Sequence, residues 1–154
     1  MSKLINFMLQ TANILRNEFW ELVNAVTIGV RVIAIKDQKI LLVRHTYKSN
    51  WHLPGGGIKR KETLYEAASR ELYEETGVKV DKLTFGDVYT NFSEGRTDHV
   101  VVFWGNIVSL EFVKNHEIAE AVFFNINQIP NDIDTQCGII VRNLQLRHVL
   151  VVNV

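Results

Sequence analysis

From Met1 to Asn24 the chain places apolar and polar side chains on opposite sides of a helical wheel. The apolar stripe consists of Leu4, Ile5, Met8, Ala12, Leu15, Phe19 and Leu22. This period predicts an amphipathic helix over residues 1–25, too often interrupted by polar residues to span a membrane. We expect it to pack on its own domain or on a partner subunit. Binding to a membrane surface is the alternative, which its weakly basic polar face disfavours.

From Thr27 onwards the pattern changes to β-branched runs. Residues Thr27–Ile35 and Ile40–Arg44 are predicted to form two strands joined by a polar turn, and therefore a β-hairpin. The segment Tyr47–Gly57 is predicted to be a loop, because it ends in Pro54 and three consecutive glycines.

The strongest helix signal follows this loop. Thr63 is a suitable N-cap, and Glu66 completes a capping box three residues later. The apolar stripe of the helix consists of Leu64, Ala68 and Leu72. Gly77 supplies the left-handed residue expected just after a helix ends.

Further strands are predicted at Val78–Leu83, Phe85–Thr90, His99–Val108 and Val122–Phe124. Asp134 is a candidate cap for a final helix that runs to about Leu146. This order of elements predicts a mixed β-sheet sandwiched between helices, in an α/β (α+β) domain with an extra N-terminal amphipathic helix.

Composition narrows the class of protein. With 154 residues, 47% of them hydrophobic, the chain suits one compact domain, assigned to residues 26–154. Zero formal charge provides no basic field for nucleic acid or anionic membrane, so we expect neither as a partner. The single cysteine, Cys137, cannot form an internal disulfide, which favours the cytoplasm.

Acidic residues cluster on one face of the predicted helix. Glu71, Glu74 and Glu75 stand at i, i+3 and i+4, where like charges oppose the helix by roughly 0.2–0.5 kcal/mol per pair. A hard divalent cation such as Mg²⁺ reverses that cost, because it prefers oxygen ligands. The preceding glycines allow close approach to a ligand, and basic residues surround them at Lys48, Lys59, Arg60 and Lys61. Taken singly, each feature is typical of a solvated surface; their combination indicates a polyphosphate site.

The segment Gly56 to Val78 resembles the Nudix box, G-x5-E-x7-R-E-U-x-E-E-x-G-U with U aliphatic, at every defined position. The matching residues are Gly56, Glu62, Arg70, Glu71, Leu72, Glu74, Glu75, Gly77 and Val78. The resemblance, to MutT-like Nudix hydrolases, covers about Val26 to Pro130. It implies a Nudix fold and a magnesium-dependent pyrophosphohydrolase, with Mn²⁺ as the alternative ion.

The resemblance also implies roles for individual residues. Glu74 and Glu75 match metal ligands, and the carbonyl of Gly55 commonly joins them. Glu71 matches a carboxylate that binds metal or acts as general base, and the resemblance does not decide between the two. Arg70 resembles the arginine that orients a glutamate of the box.

Three other acidic residues complete this set. Glu62 matches a position that holds the loop against the helix. Many family members recruit one more acid from a later loop, and here Glu117 resembles it best, with Glu120 as the second choice. A plain surface charge is an equal alternative for either of these two.

The implied substrates are small nucleoside diphosphate derivatives. Nucleoside triphosphates or nucleotide sugars are slightly favoured, because downstream signatures of the NADH, ADP-ribose and dinucleoside polyphosphate groups are missing; ADP-ribose and dinucleoside polyphosphates stay open. Arg31, Arg44, Tyr47 and Gly56 are expected to face the substrate, with core or surface roles as alternatives for the side chains.

Three rival functions remain, of which a calcium-binding structural protein is disfavoured because the acids lie on a predicted helix and not in an EF-hand loop. A non-catalytic Nudix-fold module that senses a nucleotide or docks a protein is the first, although such modules usually lose box glutamates. Removal of an mRNA cap is the second, and the absence of a basic track argues against it. A homodimer is one way of covering the apolar stripe of the N-terminal segment.

Overall fold

The computed structural model describes residues 11–12, 26–93, 96–111 and 116–151 of the chain. Its strands are β1 (Val26–Lys36), β2 (Lys39–His45), β3 (Trp51–His52), β4 (Val78–Val80), β5 (Thr84–Ser93), β6 (Arg96–Leu110) and β7 (Ile118–Asn125); its helices are α1 (Leu64–Thr76) and α2 (Thr135–Val151). Thr11 and Ala12 are helical and exposed. The rest of the helix expected over residues 1–25 lies outside the described residues.

The strands form one seven-stranded mixed sheet with the central order β3-β2-β1-β6-β4. Strand β6 pairs with β1 in parallel from Thr97–Val26 to Asn106–Ile35, and it pairs with β4 and β5 in antiparallel fashion. Strand β7 adds to the far side of β2. The predicted hairpin of β1 and β2 is confirmed by their antiparallel pairing at Ile35–Ile40.

Each face of the sheet carries one helix. On one face, Ala67, Ala68 and Leu72 of α1 are buried against β1 and β6. On the other face, Ile140 and Val141 of α2 are buried against β1, β2 and β6. Burial of a side chain as large as Leu or Ile contributes roughly 1.5–3 kcal/mol, so both helices are held mainly by these apolar contacts. The predicted mixed sheet between helices is therefore confirmed.

Helix α1 begins and ends as its sequence predicts. The hydroxyl of Thr63 accepts a hydrogen bond from the backbone N–H of Glu66, and the Glu66 carboxylate accepts one from the N–H of Thr63. Gly77 adopts φ 69° and donates its N–H to the carbonyl of Tyr73. These caps define the two ends of the helix that carries the carboxylates.

Several boundaries differ from the sequence-based expectations, two of them for a reason that the hydrogen bonds show. Strand β4 ends at Val80, because the backbone and carboxylate of Asp81 bind the backbone of Asn106 and turn the chain. The expected loop from Tyr47 to Gly57 contains strand β3, and its glycines lie along β1: Val30 donates to the carbonyl of Gly56. Hydrogen bonds between distant segments decide both outcomes, and local composition does not reveal them. Among the described residues, no helix is both long enough and apolar enough to cross a bilayer.

Candidate active site

On its outer face, helix α1 carries an ion network centred on Arg70. The guanidinium donates to both carboxylate oxygens of Glu62, at 2.6 and 2.8 Å, and to the carboxylate of Glu71 at 2.5 Å. It also donates to Glu74 and to the carbonyl of Gly57, both at 3.1 Å. These bonds lower the pKa of Glu62 to about 2, chiefly through its hydrogen bonds with Arg70. The network joins the loop to the helix and holds the carboxylate of Glu71 in place.

On its inner side, α1 presents Glu75 to a different environment. Its carboxylate accepts one hydrogen bond, from the N–H of Gly55 at 3.0 Å. Burial raises the pKa of Glu75 to about 7, and the nearby negative charges of Glu71 and Glu117 add to the increase, while Gly55 and Arg31 oppose it. Glu75 is therefore a carboxylate whose ionised form lacks enough positive charge around it.

Two of the three consecutive glycines are required by this geometry. Gly55 has φ 143°, and a Cβ there would stand 2.1 Å from the carbonyl oxygen of Val30. A Cβ on Gly56 would stand 2.7–2.8 Å from the carboxylate of Glu71. Gly57, by contrast, has open space where a Cβ would be. Gly55 thus brings the backbone next to the carboxylate of Glu75, and Gly56 brings it next to that of Glu71.

Arg31, on β1, reaches the same place from the sheet. Its Nη1 donates a hydrogen bond to the carbonyl oxygen of Gly55. The guanidinium also lowers the pKa of Glu75, although burial outweighs this effect. In this structure Arg31 provides positive charge beside the Gly55 carbonyl and the Glu75 carboxylate, which are both possible ligands of a cation.

These groups line one open cavity of about 580 Å³ between the glycine loop, β1 and the start of β7. Of the predicted site residues, the cavity lining includes Arg31, Tyr47, Gly55, Gly56, Glu71, Glu75 and Glu117. Lys48 adds a second basic side chain to the same cavity. The structure therefore brings three of the four predicted acidic ligands into one cavity, together with Gly55 and Gly56 and two basic side chains.

Three predicted residues stand elsewhere. Arg70 and Glu74 belong to the outer network, and Glu74 also pairs with Lys59 at 3.4 Å. Arg44 lies over the ring of Trp51 at 4.3 Å, and its guanidinium is 3.7 Å from Glu120 and 3.6 Å from Asp132. Their roles in catalysis or substrate binding stay predictions. Because Glu120 faces Arg44, the arrangement supports Glu117 as the extra acid.

Two histidines of the cavity were not selected from the sequence. His45 and His52 both line it, with ring centroids 5.6 Å apart. Burial, followed by the charges of His52, Arg31 and Lys48, lowers the pKa of His45 to about 4, so this ring is neutral at pH 7. The only signal available was their position beside the glycine loop, since the pairing of β2 with β3 is not visible in the sequence.

The donor set fits a hard divalent cation. It consists of carboxylate oxygens from Glu71, Glu75 and Glu117 and the carbonyl of Gly55, which is the ligand chemistry of Mg²⁺. In the described part of the chain, one trio gathers its ligand atoms within 4.8 Å: His52, Asp134 and Cys137. Within this trio, the Asp134 carboxylate also accepts from the N–H of Cys137 and thereby caps α2.

Comparison with known proteins identifies the family of the chain. The model of the family described as NUDIX domain matches residues 25–144. The chain is 33% identical to an ADP-ribose pyrophosphatase of Methanocaldococcus jannaschii over 67% of this chain and 64% of that protein. It is 40% identical to an 8-oxo-dGTP diphosphatase of Buchnera aphidicola over 33% of this chain and 42% of that protein. The chain thus matches less than two thirds of the length of these relatives.

Solved structures share the fold. A NUDIX hydrolase from Nitrosomonas europaea superposes with a TM-score of 0.72 at 22% identity, covering 79% of this chain and 90% of that one. A UDP-X diphosphatase superposes with a TM-score of 0.65 at 27% identity, covering 86% and 72%. The family match and the shared fold lead to one conclusion: the chain belongs to the NUDIX domain family.

Proposed function

We propose that this protein is a Mg²⁺-dependent pyrophosphohydrolase that cleaves a phosphoanhydride bond in a small nucleoside diphosphate derivative. One observation carries the proposal: the carboxylates of Glu71, Glu75 and Glu117 line the same open cavity as Arg31 and Lys48. Acids beside cations suit a diphosphate, whose reacting oxygens need a metal and whose outer oxygens need basic side chains.

Gly55, Glu71, Glu75 and Glu117 would hold the cation, and the family resemblance adds Glu74. When bound, the cation would polarise the phosphoryl oxygens and offset their charge. Manganese has similar ligand preferences and is the alternative ion.

The chain's own groups then have defined tasks. Arg31 and Lys48 bind non-bridging phosphate oxygens and orient the diphosphate. Water forms a new bond to one phosphorus while the bridging P–O bond breaks, and a carboxylate, Glu71 or Glu75, accepts the proton of that water. The leaving phosphate takes the electron pair of the broken bond. Arg70 positions Glu71 through the bond at 2.5 Å.

The size of the cavity supports compact substrates. A space of about 580 Å³ is of the order that small-molecule sites have, and zero net charge offers no track for a long RNA. Nucleoside triphosphates and nucleotide sugars are the first candidates, because the downstream signatures of the other substrate groups are missing from the sequence. ADP-ribose is the second, because the M. jannaschii relative is named an ADP-ribose pyrophosphatase. The free buried thiol of Cys137 supports a reducing cytoplasm as the compartment.

The test is phosphate release from nucleoside triphosphates, nucleotide sugars, ADP-ribose and dinucleoside polyphosphates, with Mg²⁺ or with EDTA. We expect Mg²⁺-dependent turnover of at least one compound. Glu117→Gln should lower kcat/KM by about 10- to 100-fold, comparable with the loss of a partner that tunes a metal site. Glu120→Gln is the matched control and should change it by less than about 3-fold, since Glu120 faces Arg44.

A nucleotide-sensing module is the competing function. It predicts that the folded protein binds members of the panel, seen as a rise in Tm, yet releases no phosphate with Mg²⁺ or Mn²⁺. That result would overturn the proposed enzyme.

A further inference from the structure

A second group of metal-ligand side chains lies where β3 meets the start of α2. It consists of His52, Asp134 and Cys137, whose ligand atoms all lie within 4.8 Å of one another. His52 and Cys137 are buried and Asp134 is half-buried. We call these three residues the His–Asp–Cys trio. Its members stand more than 80 positions apart in the chain, so tertiary packing brings the histidine to the other two.

Backbone hydrogen bonds fix the two segments that carry the trio. Trp51 donates its N–H to the carbonyl of Asp132 at 3.0 Å, and Asp134 donates its N–H to the carbonyl of Trp51 at 2.8 Å. One carboxylate oxygen of Asp134 accepts from the N–H of Cys137 at 3.1 Å. These bonds place the three side chains together through the backbone on either side of them, which is the support that a preorganised metal site needs.

The sulfur of Cys137 stands in a polar setting. Its Sγ accepts a hydrogen bond from the backbone N–H of Leu53 at 3.4 Å, whereas a buried thiol more often packs as a small apolar side chain. Backbone donors that point at a sulfur support it as a metal ligand. Burial raises the pKa of Cys137 to about 11, so the thiol keeps its proton in the metal-free protein. A bound cation would replace that proton, because a cysteine ligates metals as the thiolate.

The donor atoms of the trio select the ion. One sulfur, one imidazole nitrogen and one carboxylate oxygen are ligands of Zn²⁺, whereas Mg²⁺ prefers oxygen throughout. Ligand atoms of a tetrahedral zinc ion stand about 3.3–3.8 Å apart, so the trio needs side-chain shifts of less than about 1 Å. A thiolate and a carboxylate together balance the two charges of the ion, which a buried site requires.

We propose that the His–Asp–Cys trio is a Zn²⁺ site that joins β3 to α2. Leu53 and Pro54 alone separate His52 from Gly55, so the ion would also anchor the start of the glycine loop. The site uses none of the acids assigned to Mg²⁺. Its failure would therefore leave the proposed hydrolase unaffected, and the two proposals can be tested separately.

A titration of the full chain with Co²⁺ in excess Mg²⁺ tests the site. Co²⁺ accepts the ligands of zinc and shows a near-ultraviolet charge-transfer band when a thiolate binds it, which carboxylates do not produce. We expect one equivalent of Co²⁺ to give this band in the wild type, and Zn²⁺ to remove it by displacement. Because Cys137 is the single cysteine, the band would identify that ligand without any substitution.

Substitutions identify the other two ligands. His52→Gln and Asp134→Asn should each weaken Co²⁺ binding by at least about 10-fold, and the asparagine keeps the cap of α2. Glu75→Gln and His45→Gln are the controls, since both residues line the neighbouring cavity outside the trio, and the band should persist in both.

Three results would overturn the proposal. The first is the absence of a thiolate band in the wild type at saturating Co²⁺. The second is a band whose affinity is unchanged in both His52→Gln and Asp134→Asn, which would reduce the site to a lone thiol. The third is loss of the band in Glu75→Gln or His45→Gln, which would place the ion in the cavity.

Discussion

Two carboxylates beside helix α1, that of Glu62 in the preceding loop and that of Glu75 on the helix, have opposite environments. On the outer face, Arg70 meets both oxygens of Glu62 and the pKa of that acid falls to about 2. On the inner face, Glu75 has one backbone donor, and burial raises its pKa to about 7. The two acids belong to the same sequence motif and stand 13 positions apart. The difference is that the charge of Glu62 is compensated by its neighbours and the charge of Glu75 is not, which agrees with the proposed role of Glu75 as a cation ligand.

The contrast has a physical basis. An ionised carboxylate with charge-assisted hydrogen bonds is stabilised by its surroundings, whereas one buried with too few partners destabilises the fold until a positive ligand arrives. Residues that stabilise the outer face should therefore matter for unfolding, and residues of the inner face should matter for turnover even where they lower stability.

Glu75→Gln gives the largest expected effect. Turnover should fall by at least about 10³-fold, because loss of a metal ligand removes several kcal/mol of transition-state stabilisation. Metal-free stability should move the other way. The folded state holds the Glu75 proton up to about pH 7 and the unfolded chain only up to about 4.5, so stability is lost as pH rises between these values. Urea unfolding at pH 8 in EDTA should show the variant more stable by up to about 3 kcal/mol. Equal or lower stability of the variant would break the comparison.

Arg70→Ala should damage the outer face most. It removes hydrogen bonds to Glu62, Glu71 and the carbonyl of Gly57, and bonds to charged groups contribute about 1.5–3 kcal/mol each when both partners are shielded. We expect the unfolding free energy to fall by about 2–3 kcal/mol in urea titrations. Arg70→Lys should recover only part of the lost unfolding free energy, because one ammonium cannot contact Glu62 and Glu71 as the planar guanidinium does. Arg60→Ala, at an exposed arginine of the same loop, is the control and should stay within about 0.5 kcal/mol.

His45 extends the inner face to the floor of the cavity. The pKa of this ring is about 4 in the folded protein and about 6.5 when unfolded, so acid favours the unfolded chain between these values. Between pH 7.5 and pH 5 this group alone should remove about 2 kcal/mol of unfolding free energy. His45→Gln should abolish that part of the loss. An unchanged acid sensitivity in the variant would show that His45 does not cause it.

Thr63→Ala gives the smallest expected effect. Loss of the N-cap should lower the unfolding free energy by about 1 kcal/mol while kcat and KM stay unchanged, because the cap lies far along α1 from Glu75. Ser69→Ala, on the exposed side of the same helix, is a suitable control. A fall in kcat for Thr63→Ala would show that the cap also positions the carboxylates.

Local signals account for what the sequence predicted well. The capping box at Thr63, the stop at Gly77 and the hairpin at Asp37 depend on neighbours in the chain, and the structure has all three. The membership of Glu71 and Glu75 in one site followed from helical spacing and from the resemblance to the family.

Long-range pairing accounts for what it missed. Strand β3 exists because Trp51 and His52 pair with Arg44 and Val43, and nothing local marks that contact. The same pairing brings His52 beside His45, whose pKa is lowered first by burial and then by the charge of His52. The contact of Arg44 with Trp51, likewise, could not be read from the two residues alone.

The parallel partnership of β1 and β6 has a consequence for how the molecule forms. Thr27 donates a hydrogen bond to Asp98, which lies 71 positions later in the chain. Strand β1 can therefore pair along this edge only after β6 has been synthesised. The entropy cost of closing so large a loop must be met before the contacts between β1 and β6 can form, and this slows folding. On the ribosome, β1 would emerge with its inner edge unpaired until β6 follows, and that interval is when a nascent chain is most exposed to misassociation or to capture by a chaperone.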